Sequence, residues 1–178
     1  DVTINSSATS NNYVSRNIQC YGSISAGVEW GLGTPSGNNE HKFITNLGSI
    51  GLTTMTPRNM VTSSIWVNPT AGSTLKNWNG WIYGAAGIQV VLSLLRVKLT
   101  CPIEGEYPTS VPVCRTATQN LTMTGNATPL CFNISSFETC EGWAETMQAN
   151  EVLVLSASTG GKDIAVFTIN TNIMVGLI

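Results

Sequence analysis

The sequence predicts an all-β protein, an immunoglobulin-like or jelly-roll sandwich with at most one short helix. Apolar and polar residues alternate along many short segments, which is the period of a half-buried strand. Clusters of Gly, Asn, Pro and Ser separate these segments at the intervals typical of a sandwich. We expect strands within residues 22–30, 42–47, 64–67, 80–84, 87–101, 116–123, 131–134, 151–155 and 165–177.

Two further patterns refine this prediction. Residues 88–94 are apolar on nearly both faces, as in a central strand, whereas Arg96 and Lys98 beyond them are expected to point to water. The motif Ser-Ser-Phe-Glu at 135–138 has the form of a capping box and predicts a short helix ending near Gln148. Residues 1–12 are expected to form an N-terminal extension or donor strand, and residues 13–178 a single sandwich domain.

The composition indicates an exported protein. Only 10% of the residues are charged, against about 25% in an ordinary soluble domain. Low charge and many Ser, Thr and Asn residues are typical of secreted β proteins, adhesins, capsids and surface filaments. A chain beginning at Asp1 predicts removal of a signal peptide, and therefore an extracellular or cell-surface location. We expect no membrane span, because the most apolar run, residues 84–95, is too short.

Several partners and chemistries are not expected. A net charge of −2 without a basic run argues against nucleic acid. Among possible catalytic groups, His41 is interpreted as an exposed loop residue, and the pair Glu104 and Glu106 as a solvated turn. No nucleophile elbow, phosphate-binding glycine loop or metal motif occurs, so we expect neither catalysis nor a cofactor.

The five cysteines predict disulfides in an oxidising compartment. Cys101 and Cys114 bracket a proline-rich loop, and Cys131 and Cys140 bracket a shorter one, so each pair is expected to form a local bridge. Cys20 would then remain free. The alternative is that the cysteines are reduced and act as small buried hydrophobic residues.

Four sequons of the form Asn-x-Ser/Thr predict N-linked glycans, at Asn5, Asn120, Asn126 and Asn133. Three of them fall within fourteen residues, which favours one sugar-covered face. An aromatic cluster provides a candidate sugar-binding platform with two amide neighbours: Trp66, Trp78, Trp81, Tyr83, Asn77 and Asn79. The competing interpretation, which we favour, is that Trp66 and Trp81 fill the core.

The N-terminal segment differs from the rest of the chain. Val2 and Ile4 alternate with polar residues, and a stretch rich in Ser, Thr and Asn follows. Such a segment is either a flexible terminus or a strand donated to a neighbouring subunit, in which alternate side chains fill pockets and the backbone completes a sheet.

With Val2 and Ile4 as donor side chains and the four sequon asparagines as glycan sites, the chain resembles the glycosylated thread-type filament subunits of archaeal cell surfaces. The resemblance implies a head-to-tail homopolymer linked by N-terminal donor strands. A carbohydrate-binding adhesin that contacts surface glycans is one alternative, and a viral capsid or spike jelly roll is another. A capsid usually carries a basic arm, and here no basic residue precedes Arg16.

Overall fold

The computed structural model describes residues 13–24, 40–44, 50–54, 64–68, 71–87, 89–99, 112–158 and 165–177. These residues form ten strands and contain no helix. The strands are β1 (Tyr13–Ile24), β2 (Glu40–Ile44), β3 (Ile50–Thr54), β4 (Trp66–Val67), β5 (Thr74–Gly84), β6 (Gln89–Lys98), β7 (Val113–Thr122), β8 (Gly125–Ile134), β9 (Glu151–Ser158) and β10 (Ala165–Gly176).

The strands form two antiparallel sheets. The four-stranded sheet has the order β1-β10-β5-β8. The six-stranded sheet has the order β3-β2-β9-β6-β7, and β4 pairs with the first half of β9 while β2 pairs with the second half. The predicted all-β sandwich class is therefore confirmed. Strand β3 lies wholly outside the segments in which we expected strands, and β1 overlaps them only at residues 22–24.

The main core lies between the two sheets, because each contributes its alternate apolar side chains. The four-stranded sheet supplies Trp78, Ile82, Phe132, Ile169 and Ile173, and the six-stranded sheet supplies Val90, Leu92, Leu94, Leu153 and Leu155. Trp78 is fully buried, and its indole Nε1 donates a hydrogen bond of 2.8 Å to Thr171 Oγ1. Its ring meets Phe132 edge-on, with centroids 5.2 Å apart.

β6 is buried on both faces, as the sequence predicted. Its opposite face contributes Leu95 and Val97 to a second buried cluster with Val152 and Val154 of β9. The expectation for Arg96 is wrong, because this side chain is only 2% exposed. Alternation shows that Arg96 and its apolar neighbours lie on different faces. Alternation does not show that either face is exposed to water, and both faces of this part of β6 are buried.

Arg96 and Glu151 form a buried ion pair at one end of the sandwich. The guanidinium Nε lies 2.7 Å from Glu151 Oε1, and Nη2 lies 3.0 Å from Oε2. Arg96 also donates to the carbonyl oxygens of Ala144, at 2.8 Å, and Thr146, at 3.2 Å. Glu151 Oε2 accepts a further bond of 2.7 Å from the amide of Gln148. The pair therefore connects β6 and β9 to the segment between β8 and β9.

That segment was expected to contain a helix, and the prediction is wrong. Residues 135–150 form turns and extended backbone. The segment bonds to itself in a turn, Trp143 N to Cys140 O (3.0 Å), and other backbone groups bond outside it, as in Glu138 N to Thr116 O (2.8 Å) and Met147 N to Ser73 O (2.7 Å). With several carbonyls already occupied by Arg96 and β-strands, few remain for a helical ladder.

Gly80 of β5 leaves no room for a side chain against β10. A Cβ at this position would lie against the carbonyl oxygen of Asn170 and 2.9 Å from Thr171 Cα. Both atoms belong to the backbone, so Gly80→Ala must displace one strand. We expect a loss of about 1–3 kcal/mol of unfolding free energy, as for other overpacked cores. Urea denaturation will measure it against Ala85→Ser, a control that also adds one heavy atom but at an exposed position. Equal stability of the two variants would contradict the prediction.

Candidate functional site

The side of the sandwich formed by β7 and β8 is open. These strands are consecutive in the chain, but β7 pairs with β6 and β8 with β5, so they end in different sheets. Between them lies a groove with a volume of about 250 Å³, which we call the β7 groove. Its lining residues are Arg115, Thr116, Ala117, Thr118, Gln119, Ile134, Ser136 and Glu138.

Among the residues that the structure describes, the first part of the β7 edge is covered and the rest is not. Glu138 N donates to Thr116 O, and a disulfide joins Cys114 to Cys140, so residues 138–140 lie against the start of β7. Along residues 117–122, β7 has no backbone partner other than β6 among the residues that the structure describes. Partial burial lowers the pKa of the Arg115 guanidinium at the groove wall. An uncovered edge of this kind is a template for another strand.

The disulfide corrects the predicted pairing. We expected Cys101–Cys114 and Cys131–Cys140, but Cys114 pairs with Cys140, with Cα atoms 5.7 Å apart. Cys131 is exposed and free, and it lies directly across from Trp81 on the four-stranded sheet. Cys140 lies beyond the end of β8, where the chain returns to β7. The prediction from separation in sequence is therefore wrong, because the strand register determines which cysteines meet. Cys101 and the side chain of Cys20 are outside the described residues.

The outer face of the four-stranded sheet carries a row of amides. Asn17 of β1 pairs with Asn172 of β10, Asn172 with Asn79 of β5, and Asn79 with Asn133 of β8. Two hydrogen bonds join this row to its neighbours: Asn17 Nδ2 to Asn170 Oδ1 (2.9 Å) and Asn77 Nδ2 to Asn133 Oδ1 (2.7 Å). Asn79 Nδ2 also donates to Asn77 Oδ1.

An exposed indole lies beside this row. Trp81 is 51% exposed, so our expectation that it fills the core is wrong, whereas Trp66 is half-buried against the core. Trp81 borders a surface depression of about 320 Å³, together with Gln19, Tyr83, Pro129, Thr168 and Asn170. None of these lining side chains is charged. We call this depression and the amide row the amide–aromatic face.

The sequons fall on different parts of the molecule. Asn120 is exposed on β7, and Asn133 is exposed on β8, so they lie on edge strands of opposite sheets. The single sugar-covered face that we inferred from their spacing stays a prediction. Asn126 lies in β8, but its side chain is not described. Asn5 and the donor residues Val2 and Ile4 lie outside the described residues.

The remaining candidates are scattered or lie beyond the described segments. His41 belongs to β2 and not to a loop. Glu104 and Glu106 are outside the described residues. Within the described segments, no three His, Cys, Asp or Glu side chains are placed to hold a metal ion. The same part of the chain contains no helix of the length and apolarity needed to cross a membrane. The disulfide is compatible with a secreted protein.

Comparison of the chain with protein-family models, with curated proteins and with solved structures found no match. Two features of the described residues remain as candidates for a function: the uncovered edge beside the β7 groove and the amide–aromatic face. Sequence analysis missed the amide row. Asn170 and Asn172 repeat at the period of a strand, but only the pairing of four strands brings them beside Asn17, Asn79 and Asn133.

Proposed function

We propose that the protein is a structural subunit of an extracellular filament, in which residues 1–12 of one copy add a strand to the next copy. The observation that carries the proposal is the uncovered edge of β7 beside the β7 groove. An added strand would satisfy a row of backbone donors and acceptors, and alternate side chains would enter the groove. Glycans at the sequon asparagines would cover the outside of the polymer.

The length and pattern of residues 1–12 fit this role. Twelve extended residues reach about 40 Å, whereas the ten residues of β7 span about 34 Å. Val2 and Ile4 occupy alternate positions, and burying each would contribute roughly 1.5–3 kcal/mol. The donor segment precedes Tyr13, which lies next to Gly176 at the end of the sandwich where β7 begins and β8 ends.

Replacing both donor side chains with Asp should abolish polymerisation. In the variant Val2→Asp/Ile4→Asp the apolar burial of both side chains is lost, and two charged groups would have to leave water to enter the groove. Electron microscopy of purified wild-type and variant protein measures the outcome, and Thr3→Asp/Thr9→Asp is the control with the same added charge at the alternate positions. We expect filaments from wild type and control only. Normal filaments from the donor variant would contradict the proposal, as would closed shells or a stable monomer from wild type.

A peptide of residues 1–12 tests the acceptor strand separately. Added to the Val2→Asp/Ile4→Asp protein, it should slow amide hydrogen exchange in residues 117–122, because a new strand would protect the β7 edge. The same peptide carrying both Asp substitutions is the control. Protection confined to β1, β3 or β8 would show that β7 is not the acceptor.

A further inference from the structure

We propose that the glycan on Asn133 packs on the amide–aromatic face, with its sugars against Trp81. This inference depends on the glycosylation that we proposed for the filament subunit, and it adds the surface that the sugar occupies. The protein would then bind its own modification, and the exposed apolar part of the four-stranded sheet would be covered.

The attachment point lies on the correct face. Asn133 is directly opposite Asn79, and Cys131 is directly opposite Trp81. Asn133 and Trp81 are therefore diagonal neighbours on adjacent strands, at a Cβ separation of about 7–8 Å. The first sugars of a glycan can cross that distance without any movement of the backbone.

The amide of Asn133 is also oriented for modification. Its Oδ1 accepts the hydrogen bond from Asn77 Nδ2. Its Nδ2, which is the atom that carries an N-linked sugar, donates no hydrogen bond to the residues that the structure describes. Asn133 is exposed, and β8 is an edge strand, so a transferase can reach the site. The bond from Asn77 would restrict the direction in which the first sugar leaves the sheet.

The chemistry of the depression suits a neutral saccharide. Sugar rings present C–H groups on one face and hydroxyl groups around the rim. Trp81, Tyr83 and Pro129 offer apolar surfaces to the first, and Gln19 and Asn170 offer amide donors and acceptors to the second. None of the lining residues is charged, which favours a neutral sugar over an acidic one.

The tether makes a weak contact sufficient. A ligand attached by a short linker has an effective concentration in the millimolar range. A sugar whose free form would bind only at millimolar concentration is therefore bound for much of the time when it is attached at Asn133. The sugar would then cover the indole of Trp81, which is 51% exposed.

Cys131 gives a direct measurement, because it is exposed and lies between Asn133 and Pro129 along β8. Iodoacetamide labelling of Cys131, followed by peptide mass spectrometry, reports whether the face is covered. Protein from a glycosylating host is compared with Ser135→Ala, which removes the sequon and keeps Asn133. We expect labelling of the glycosylated protein to be about tenfold slower, which corresponds to about 1.4 kcal/mol in favour of the packed glycan.

Trp81→Ala separates packing from simple crowding. In the glycosylated protein this substitution should restore the labelling rate of Ser135→Ala, and in the Ser135→Ala background it should change the rate little. Thr122→Ala, which removes the sequon of Asn120, is the control and should leave Cys131 as slow as in wild type. Equal labelling of wild type and Ser135→Ala would overturn the proposal, and so would a slow rate that survives Trp81→Ala.

Glycopeptide mapping and electron microscopy identify which step has failed. If Asn133 carries no sugar in the native protein, the inference fails together with the glycosylation it depends on. If Asn133 is modified but Cys131 is not protected, only the packing of the glycan fails. Ser135→Ala and Trp81→Ala are expected to form filaments normally, so the loss of filaments through the donor segment remains an independent result.

Discussion

Glu151→Gln is expected to lower the free energy of unfolding by about 3–5 kcal/mol, the usual cost of breaking a buried ion pair by removing one charge. Arg96 and Glu151 are each about 2% exposed. The substitution leaves the buried guanidinium without a counter-charge, beside a neutral side-chain amide and the carbonyl oxygens of Ala144 and Thr146. The amide of Gln148 also loses a charged acceptor.

Urea denaturation followed by circular dichroism measures this loss. Glu141→Gln removes the same charge at an exposed position and should change stability by less than about 0.5 kcal/mol. Part of the loss should return in a variant that also replaces Arg96 with Met, because no unpaired charge is then left buried. A loss below about 1 kcal/mol in Glu151→Gln would show that the pair is solvated, contrary to its burial.

The strands were predictable because their signal is local. β6, β9 and β10 each show in sequence the apolar pattern that they show in the fold. β10 is an example, because Ile169, Ile173 and Val175 alternate with polar residues and all three are buried. An alternation of apolar and polar residues with a period of two can be recognised within one segment. It therefore predicts an all-β fold without information on which strands are neighbours.

The faces and contacts were less predictable, because they depend on pairing between distant segments. Trp78 and Trp81 are three residues apart in one strand, which places them on opposite faces. Only the register of β5 with β10 and β8 determines that Trp78 is buried and Trp81 exposed. The cysteine pairing was predicted wrongly for the same reason, because it also depends on contacts between distant segments.

Both candidate surfaces also depend on pairing between distant segments. The amide–aromatic face combines side chains from β1, β5, β8 and β10, and the β7 groove combines β7 with the chain that follows β8. No motif within one segment identifies either surface. What the sequence does provide is the occupants that we propose for them: the donor residues Val2 and Ile4, and the sequon at Asn133.

The Cys114–Cys140 bridge lies beside the edge of β7 that we propose as the acceptor, and its removal should have a large effect. The bridged residues are 26 positions apart. A bridge that closes a loop of this length restricts the unfolded chain. In the chain-entropy model, its removal lowers the free energy of unfolding by about 3–4 kcal/mol. Cys114→Ala/Cys140→Ala should therefore unfold at markedly lower urea concentration than wild type, whereas Cys131→Ser, at the exposed free thiol, should stay within about 0.5 kcal/mol.

Hydrogen exchange will show where the bridge acts. Without it, residues 138–140 are held to β7 mainly by the bond from Glu138 N to Thr116 O, so the amide of Glu138 should exchange faster than in wild type. Opening this contact would lengthen the uncovered edge of β7 from residues 117–122 toward Cys114, and the donor peptide of residues 1–12 should then protect more of β7. Unchanged stability of the double variant would show that the bridge contributes nothing, and an equal loss in Cys131→Ser would show that Cys131 takes part in the bridge.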